Sequence, residues 1–380
     1  MIEDWQHGGF GLYVHWPFCE AKCPYCDFNS YVSQNIDQVR WTKAYAKELE
    51  RLAEHTSGRI LNSIFFGGGT PSLMDASVVE AIVRAAEMHW VFANDIEITL
   101  EANPSSVEAE KFQAFRHAGV NRVSLGVQSL RDDDLKALGR LHSVSEARAA
   151  IDIAQTTFDR VSFDLIYARQ NQSLNEWNTE LNEALALGTD HLSLYQLTIE
   201  QGTAFGDRFN RGLLRGLPSE DLSADMFFLT QHVCEDAGLP AYETSNHARV
   251  GQESRHNKIY WTAGDFLGVG PGAHGRITNS QGRFATEAHL APGAWLNAVE
   301  IDGSGESGRI LLNDEEADEE YLLMGLRLHD GIDLTRLNKQ DKYIKINDLV
   351  EIGLVACENE TLKLTEAGRP LLNSILKELV

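Results

Sequence analysis

The sequence predicts an α/β chain: a partial, TIM-like (β/α)6 barrel, then a mixed extension, then a small helical module. Three observations carry this. Short β-branched apolar runs alternate six times with longer helical patterns in the first two hundred residues, as parallel strands with helical crossovers do. Unusual polar residues follow almost every strand, which favours a barrel's catalytic face over the open sheet that the alternation also fits. Beyond residue 205 the periodicity loosens among many glycines, aromatics and histidines. The predicted division is 1–205 for the barrel, 206–308 for the extension and 309–380 for the C-terminal module.

The first strand is Gly11–His15. Helix Ile36–Leu52 follows, with Tyr45, Leu49 and Leu52 on one face. Strand Ser63–Phe66 leads through Thr70-Pro71-Ser72 into helix Ala76–His89. Strand Ile96–Leu100 precedes helix Ser106–Ala118, which Gly119 closes. Strand Arg122–Val127 is followed by a short helix and then by Ser145–Thr156. Strand Val161–Ile166, helix Ser173–Leu187 and strand His191–Leu197 complete the repeats. Near the C-terminus the acidic run Asp314–Asp318 suits the start of helix Glu319–Leu328. Segments Leu334–Lys339, Ile344–Ile352 and Glu366–Leu379 read as helical, and Leu362–Thr365 as a strand. That order is winged-helix-like. Residues 311–380 hold 15 acidic and 8 basic side chains, whereas a DNA-binding wing is basic. The module therefore reads as structural or as a protein contact.

Composition narrows the function. Hydrophobic residues are 43% of the chain, enough for a core, and the formal charge is −23. So acidic a surface repels phosphate backbones, and no nucleic-acid partner is expected. No apolar run approaches the roughly 18 residues of a membrane span. Met1–His7 has no basic segment of the secretory type, and the expected compartment is the cytoplasm.

Five cysteines make a poor disulfide framework. Cys19, Cys23 and Cys26 form C-x3-C-x2-C directly after the first strand, while Cys234 and Cys357 stand alone. Thiolates suit zinc or iron–sulfur clusters. One zinc needs four ligands, for which His15 could be the fourth. A cubane cluster can be held at three corners by one loop, with its fourth iron open for substrate or cofactor.

With the aromatic Tyr25 before the last cysteine, this motif resembles the radical S-adenosylmethionine superfamily. The resemblance implies a 4Fe–4S cluster on Cys19, Cys23 and Cys26. It also implies S-adenosylmethionine on the open iron, cleaved by the reduced cluster to a 5′-deoxyadenosyl radical. Gly68, Gly69 and Thr70, in the Gly-Gly-Gly-Thr turn after the second strand, match the loop that meets the methionine end. Glu101, Gln128, Arg140 and Asp164 lie at or near successive strand ends. Singly each reads as a cap or core salt bridge; together they offer a zwitterionic ribonucleoside its donors and acceptors. They match cofactor contacts in the coproporphyrinogen-dehydrogenase branch, as do Tyr13 and Tyr25.

Within that branch the chain resembles the HemW-type haem chaperones. The dehydrogenase carries a fourth cysteine in C-x3-C-x2-C-x-C, and Phe28 stands there instead. Arg255-His256-Asn257-Lys258-Ile259-Tyr260-Trp261 matches the H-N-x-x-Y-W motif associated with haem, which nominates His256, Tyr260 and Trp261 as haem contacts. His247 and His274 are secondary candidates. The resemblance implies haem as cargo and haem-receiving apo-proteins as partners, membrane-bound respiratory enzymes among them, with peripheral membrane work and a homodimer left open. One departure stands out: after Tyr167 the family reads Gly-Leu-Pro-Gly-Gln, and this chain reads Ala168-Arg-Gln-Asn-Gln172. No catalytic residue is assigned. Two other functions stay open: oxidative decarboxylation of coproporphyrinogen III, and a zinc-stabilised scaffold without redox chemistry.

Overall fold

The computed structural model describes residues 4–33, 35–338 and 343–380. Strand β1 (Phe10–Trp16) runs into a loop bracketed by two short strands, β2 (Phe18–Cys19) and β3 (Tyr31–Val32). Then come α1 (Gln38–Ala53), β4 (Ile60–Gly68), α2 (Ala76–His89) and β5 (Val91–Ala102). The predicted helix 106–118 is two pieces, α3 (Ser106–Ala109) and α4 (Phe112–His117). The break falls at Glu110 and Lys111; just before it, within α3, the Glu108 carboxylate is held inward, accepting from Asn103 N at 2.8 Å and from the Ser72 hydroxyl.

Next are β6 (Arg122–Gln128), α5 (Asp132–Ala137), α6 (Val144–Thr157), β7 (Arg160–Tyr167), α7 (Leu174–Leu185) and β8 (His191–Gln196). Reciprocal capping boxes, Ser143 with Glu146 and Ser173 with Glu176, start α6 and α7. The looser stretch holds α8 (Ala204–Asn210), α9 (Glu220–Asp236), β9 (Asn246–Ala248), α10 (Arg255–Trp261), β10 (Asp265–Val269), β11 (His274–Asn279), β12 (Gly282–Ala288), α11 (Pro292–Ile301) and β13 (Glu306–Leu311).

All the longer strands to this point form one eleven-stranded sheet, in the order β13-β12-β11-β10-β1-β4-β5-β6-β7-β8-β9. The six predicted strands are its parallel run. Strand β10 adds a seventh, parallel to β1, and both flanks continue antiparallel. The curl is a partial barrel, and residues 206–308 supply both of its flanks. Its outer face is apolar. Trp16 packs edge-on against Trp41 of α1, which stacks on Trp295 of α11 at 5.4 Å. Leu12, Ile64, Leu100, Leu125 and Phe163 are fully buried.

The inner face carries polar rows. Register sets Thr99 beside Arg122 and Arg160, and Glu101 beside Ser124 and Ser162. Helix α10 fills the lower part of this interior. Glu97 receives its first turn: the backbone N–H of Arg255 (3.2 Å) and His256 (3.3 Å), with the Ser254 hydroxyl at 3.4 Å. Arg160 pairs with the same carboxylate at 2.5 Å.

The C-terminal module comprises α12 (Asp314–Gly325), β14 (Ile332–Asp333), α13 (Tyr343–Glu351), β15 (Val355–Glu358), β16 (Thr361–Leu364) and α14 (Leu372–Leu379). Asn313 caps α12, so the acidic run is the helix's own first turn rather than its approach. Residues 334–336 make a single 3-10 turn where a helix to Lys339 was predicted; Lys339 lies outside the described residues. A separate core of Leu322, Leu326, Leu362, Ile375 and Leu379 holds the module together. Glu320 ties it to the sheet through Arg276 at 2.6 Å, and Arg327 does so through Glu243 at 3.1 Å.

Candidate functional site

The C-terminal strand ends surround an open cleft. The sequence after β1 folds over it because Gly69 N and Thr70 N donate to Trp16 O and Phe18 O (2.6 and 2.8 Å), strapping the glycine turn to the root of the cysteine loop. A Cβ on Gly69 would sit 2.6 Å from Phe18 O, so only glycine allows this approach. Gly68 has φ +111 and its N–H donates to Glu101 Oε2 at 3.3 Å.

All three clustered cysteines line the cleft, with Tyr25, Gly68, Gly69, Thr70, Glu101, Gln128, Arg140 and Asp164. Among the described residues, no three ligating side chains converge as a single-ion site. Burial raises the thiol pKa values of Cys19 and Cys26, with nearby thiols adding to it. Such thiols are held neutral until a metal displaces their protons. Arg140 is the cation of the cleft wall. It donates to Cys23 Sγ at 3.3 Å, Asn103 Oδ1 at 2.7 Å and Gly126 O at 2.9 Å. Its buried Nε has no partner, leaving a donor on the cleft wall that an anionic group could satisfy. Three thiols, a glycine cradle and this guanidinium fit a thiolate-held cluster beside a carboxylate-bearing ligand.

The two carboxyls are coupled to their burial. Glu101 is pushed up to about 8, first by burial and then by Asp164. Burial raises Asp164 to about 6, against hydrogen bonds from Ser193 and Ser124. Both folded pKa values lie above the unfolded ones, so the native state holds the extra proton. The stability this confers is complete below about pH 4.5 and is lost as pH rises through about 8. Cofactor-free protein should lose about 1–2 kcal/mol between pH 6 and 8 in denaturant melts. Glu101→Gln should flatten that slope; an unchanged slope would mean that Glu101 is ionised throughout.

Tyr13, His256, Tyr260 and Trp261 do not line the cleft; His256 sits lower in the barrel, beside Gly11 and Ser63. Tyr13 stacks on Phe65 at 6.3 Å and bonds His15 Nδ1 at 3.0 Å. His15 Nε2 faces Asn29 O at 2.9 Å, so Nε2 carries the proton and Tyr13 is the donor. Both nitrogens of His15, the possible fourth ligand of a zinc site, are thereby used. His256 is 1% exposed. Its Nδ1 meets Ser63 Oγ at 2.8 Å and its Nε2 meets Tyr260 OH at 2.7 Å, and burial lowers its pKa to about 3. Arg327 lies over the Trp261 ring at 4.7 Å. Of the secondary candidates, His247 is fully buried, whereas His274 is exposed beside Glu287. Phe28, 56% exposed, stands at the cleft mouth.

Sequence reasoning missed Asn103, Ser124 and His142, which also line the cleft. Asn103 directly follows the end of β5, two residues after Glu101, and that strand-end position was its signal.

A profile of the radical SAM superfamily matches residues 13–182, and one of the HemN C-terminal domain matches 312–371. The heme chaperone HemW of Haemophilus influenzae is 34% identical over 382 residues, covering 96% of each chain. The chain belongs to the radical SAM superfamily. Within it the chain stands with HemW: the Mycobacterium tuberculosis protein is 35% identical over 98% of this chain and 95% of its own. The mitochondrial radical S-adenosyl methionine domain-containing protein 1 of Bos taurus is 38% identical over 97% of this chain and 87% of its own. The radical SAM fold is shared with coproporphyrinogen III oxidase (HemN) of Escherichia coli, at TM-score 0.82 and 20% identity over 98% and 90% of the two chains. The superfamily's cofactors are a 4Fe–4S cluster and S-adenosylmethionine.

Proposed function

We propose that this chain is a haem chaperone of the HemW type. It binds haem, a 4Fe–4S cluster and S-adenosylmethionine, and hands haem to apo-proteins. The similarity to HemW along nearly the whole chain carries this reading. Phe28, where the dehydrogenase branch has its fourth cysteine, supports it over coproporphyrinogen oxidation. In this reading Cys19, Cys23 and Cys26 hold the cluster, which supplies the electron for sulfonium cleavage when S-adenosylmethionine is bound. Gly68, Gly69 and Thr70 present backbone to the methionine end. Arg140 neutralises a carboxylate, Glu101 and Asp164 accept from ribose hydroxyls, Gln128 and Tyr25 shape the walls, and Tyr13 supports them from below through His15. We further propose cytoplasmic work, at the membrane through respiratory partners, in a reducing compartment that suits five free thiols.

The haem contacts His256, Tyr260 and Trp261 belong to this proposal with a condition. Both imidazole nitrogens are engaged, so ligation requires Tyr260 to swing off Nε2. Tyr260→Phe removes that hydrogen bond and should tighten haem binding about two- to tenfold in absorbance titrations. An unchanged affinity, with a changed haem spectrum in His274→Ala, would move the ligand to His274. The reading as a whole is tested by anaerobic incubation with haem and, separately, with coproporphyrinogen III. Haem uptake without decarboxylated product is expected; product formation would overturn it.

A further inference from the structure

The turn from β7 to α7, Ala168-Arg-Gln-Asn-Gln172, is built against its own residue types. Ala168 has φ +57 and Asn171 has φ +59, the left-handed region that glycine enters freely. Ala168 is 2% exposed, so its conformation is imposed by packing. The constraint is the Arg169 guanidinium, itself 4% exposed. It donates to Ile166 O at 2.5 Å on its own strand, to Asp134 Oδ2 at 2.7 Å on α5, and to Glu180 Oε2 at 2.5 Å on α7. Asn171 N bonds Gly216 O at 2.6 Å, closing the far side.

The partners of this one cation lead to the cleft. Glu180 also accepts from Ser129 Oγ at 2.7 Å and Leu130 N at 2.6 Å. Those residues directly follow Gln128, whose own φ is +69 and which ends β6 at a register shift. Asp134 lies on α5, and the turn after α5 delivers Arg140 to Cys23. The planar fork spreads its donors over two nitrogens and holds three elements at once in a fixed geometry, where an ammonium offers only one compact point of donation. We infer that Arg169 is a positioning residue for the cofactor cleft: it fixes the strand end bearing Gln128 and the helix leading to Arg140. Arg169 does not line the cleft.

The test uses the full chain with its cluster reconstituted, and reads S-adenosylmethionine affinity by calorimetry next to iron content and a thermal melt. Arg169→Met keeps the volume and removes the fork. Iron content should hold, while affinity falls about tenfold, the scale of removing a supporting partner behind a ligand-holding residue. Arg169→Lys should recover part of that loss, because one charged bond to Glu180 survives. Asp134→Asn, whose side chain is 34% exposed, loosens only the α5 link and should weaken binding about threefold. It reports on the inference even if Arg169→Met does not fold. A lowered melting temperature with unchanged affinity in the folded variants would make Arg169 a purely structural residue and overturn the inference.

Discussion

Alanine at Cys19, Cys23 or Cys26 should strip the protein of its cluster and leave it folded. Each thiolate would hold one iron corner, and loss of any one opens the cluster to solvent and oxidation. The fold has little stake in these side chains. Cys19 is buried against Thr70 and Ser30, but Cys23 and Cys26 are half-buried on the cleft wall, and the apolar core lies on the other face of the sheet. Iron and sulfide content should fall close to zero in each single variant, with circular dichroism and melting nearly those of the parent. Cys234→Ala and Cys357→Ala should keep full iron content, since neither lines the cleft. Normal iron in two of the three loop variants would remove the cluster from these residues.

The second large effect is expected at Glu97. Its carboxylate is 2% exposed and gathers Arg160, the start of α10 and, at 3.9 Å, Arg122. The arginines hold its pKa below the usual carboxylate range despite the opposing effect of burial. Glu97→Ala would leave two largely buried guanidinium groups without their counter-charge and the first turn of α10 without its acceptor. Removing one side of such an arrangement costs about 3–5 kcal/mol, a large share of the 5–15 kcal/mol that holds a typical domain. Urea melts should show it. Glu97→Gln keeps an acceptor and should lose clearly less. A melt close to wild type in Glu97→Ala would mean that α10 is held by its apolar contacts alone.

Much of this was legible in the sequence where the physics is local. The parallel strands read as short, nearly continuous buried runs, as strands covered on both faces do, and Asp37, Ser143 and Ser173 cap three of the helices between them. The apolar pattern covers only Ile96–Leu100 of β5, because its first half is largely exposed and carries Asn94 and Asp95, residues of low strand propensity. The region after residue 205 was opaque for a different reason. Strands β10 to β13 acquire their faces only by pairing with β1 and with one another, and short antiparallel strands rich in glycine carry little pattern of their own. The cleft residues were found because polar side chains at strand ends are anomalous one at a time. Glu108 and Arg169 gave no such signal. Their role depends on which neighbours the fold brings within hydrogen-bond reach, and the spacing does not record that. The placement of α10 within the barrel was equally hidden: His256 looks like a free ligand in a motif and becomes a saturated one only beside Ser63.

The pairing of β1 with β10 joins Phe10 to Asp265 and Val14 to Val269. As the chain leaves the ribosome, the first strand made is a middle strand whose partner on one side is among the last to appear. Until about residue 269 has emerged, β1 presents an unprotected edge of apolar, β-prone sequence, the kind of surface that recruits other nascent chains. Closure of so distant a pair is also slow, because a loop of about 250 residues must be gathered before its contacts repay the entropy. The thiol loop hangs directly from this late-finished strand. The wall of the cleft is thereby completed only after most of the polypeptide has been made, and a prematurely terminated product would carry its three clustered thiols on an incomplete sheet.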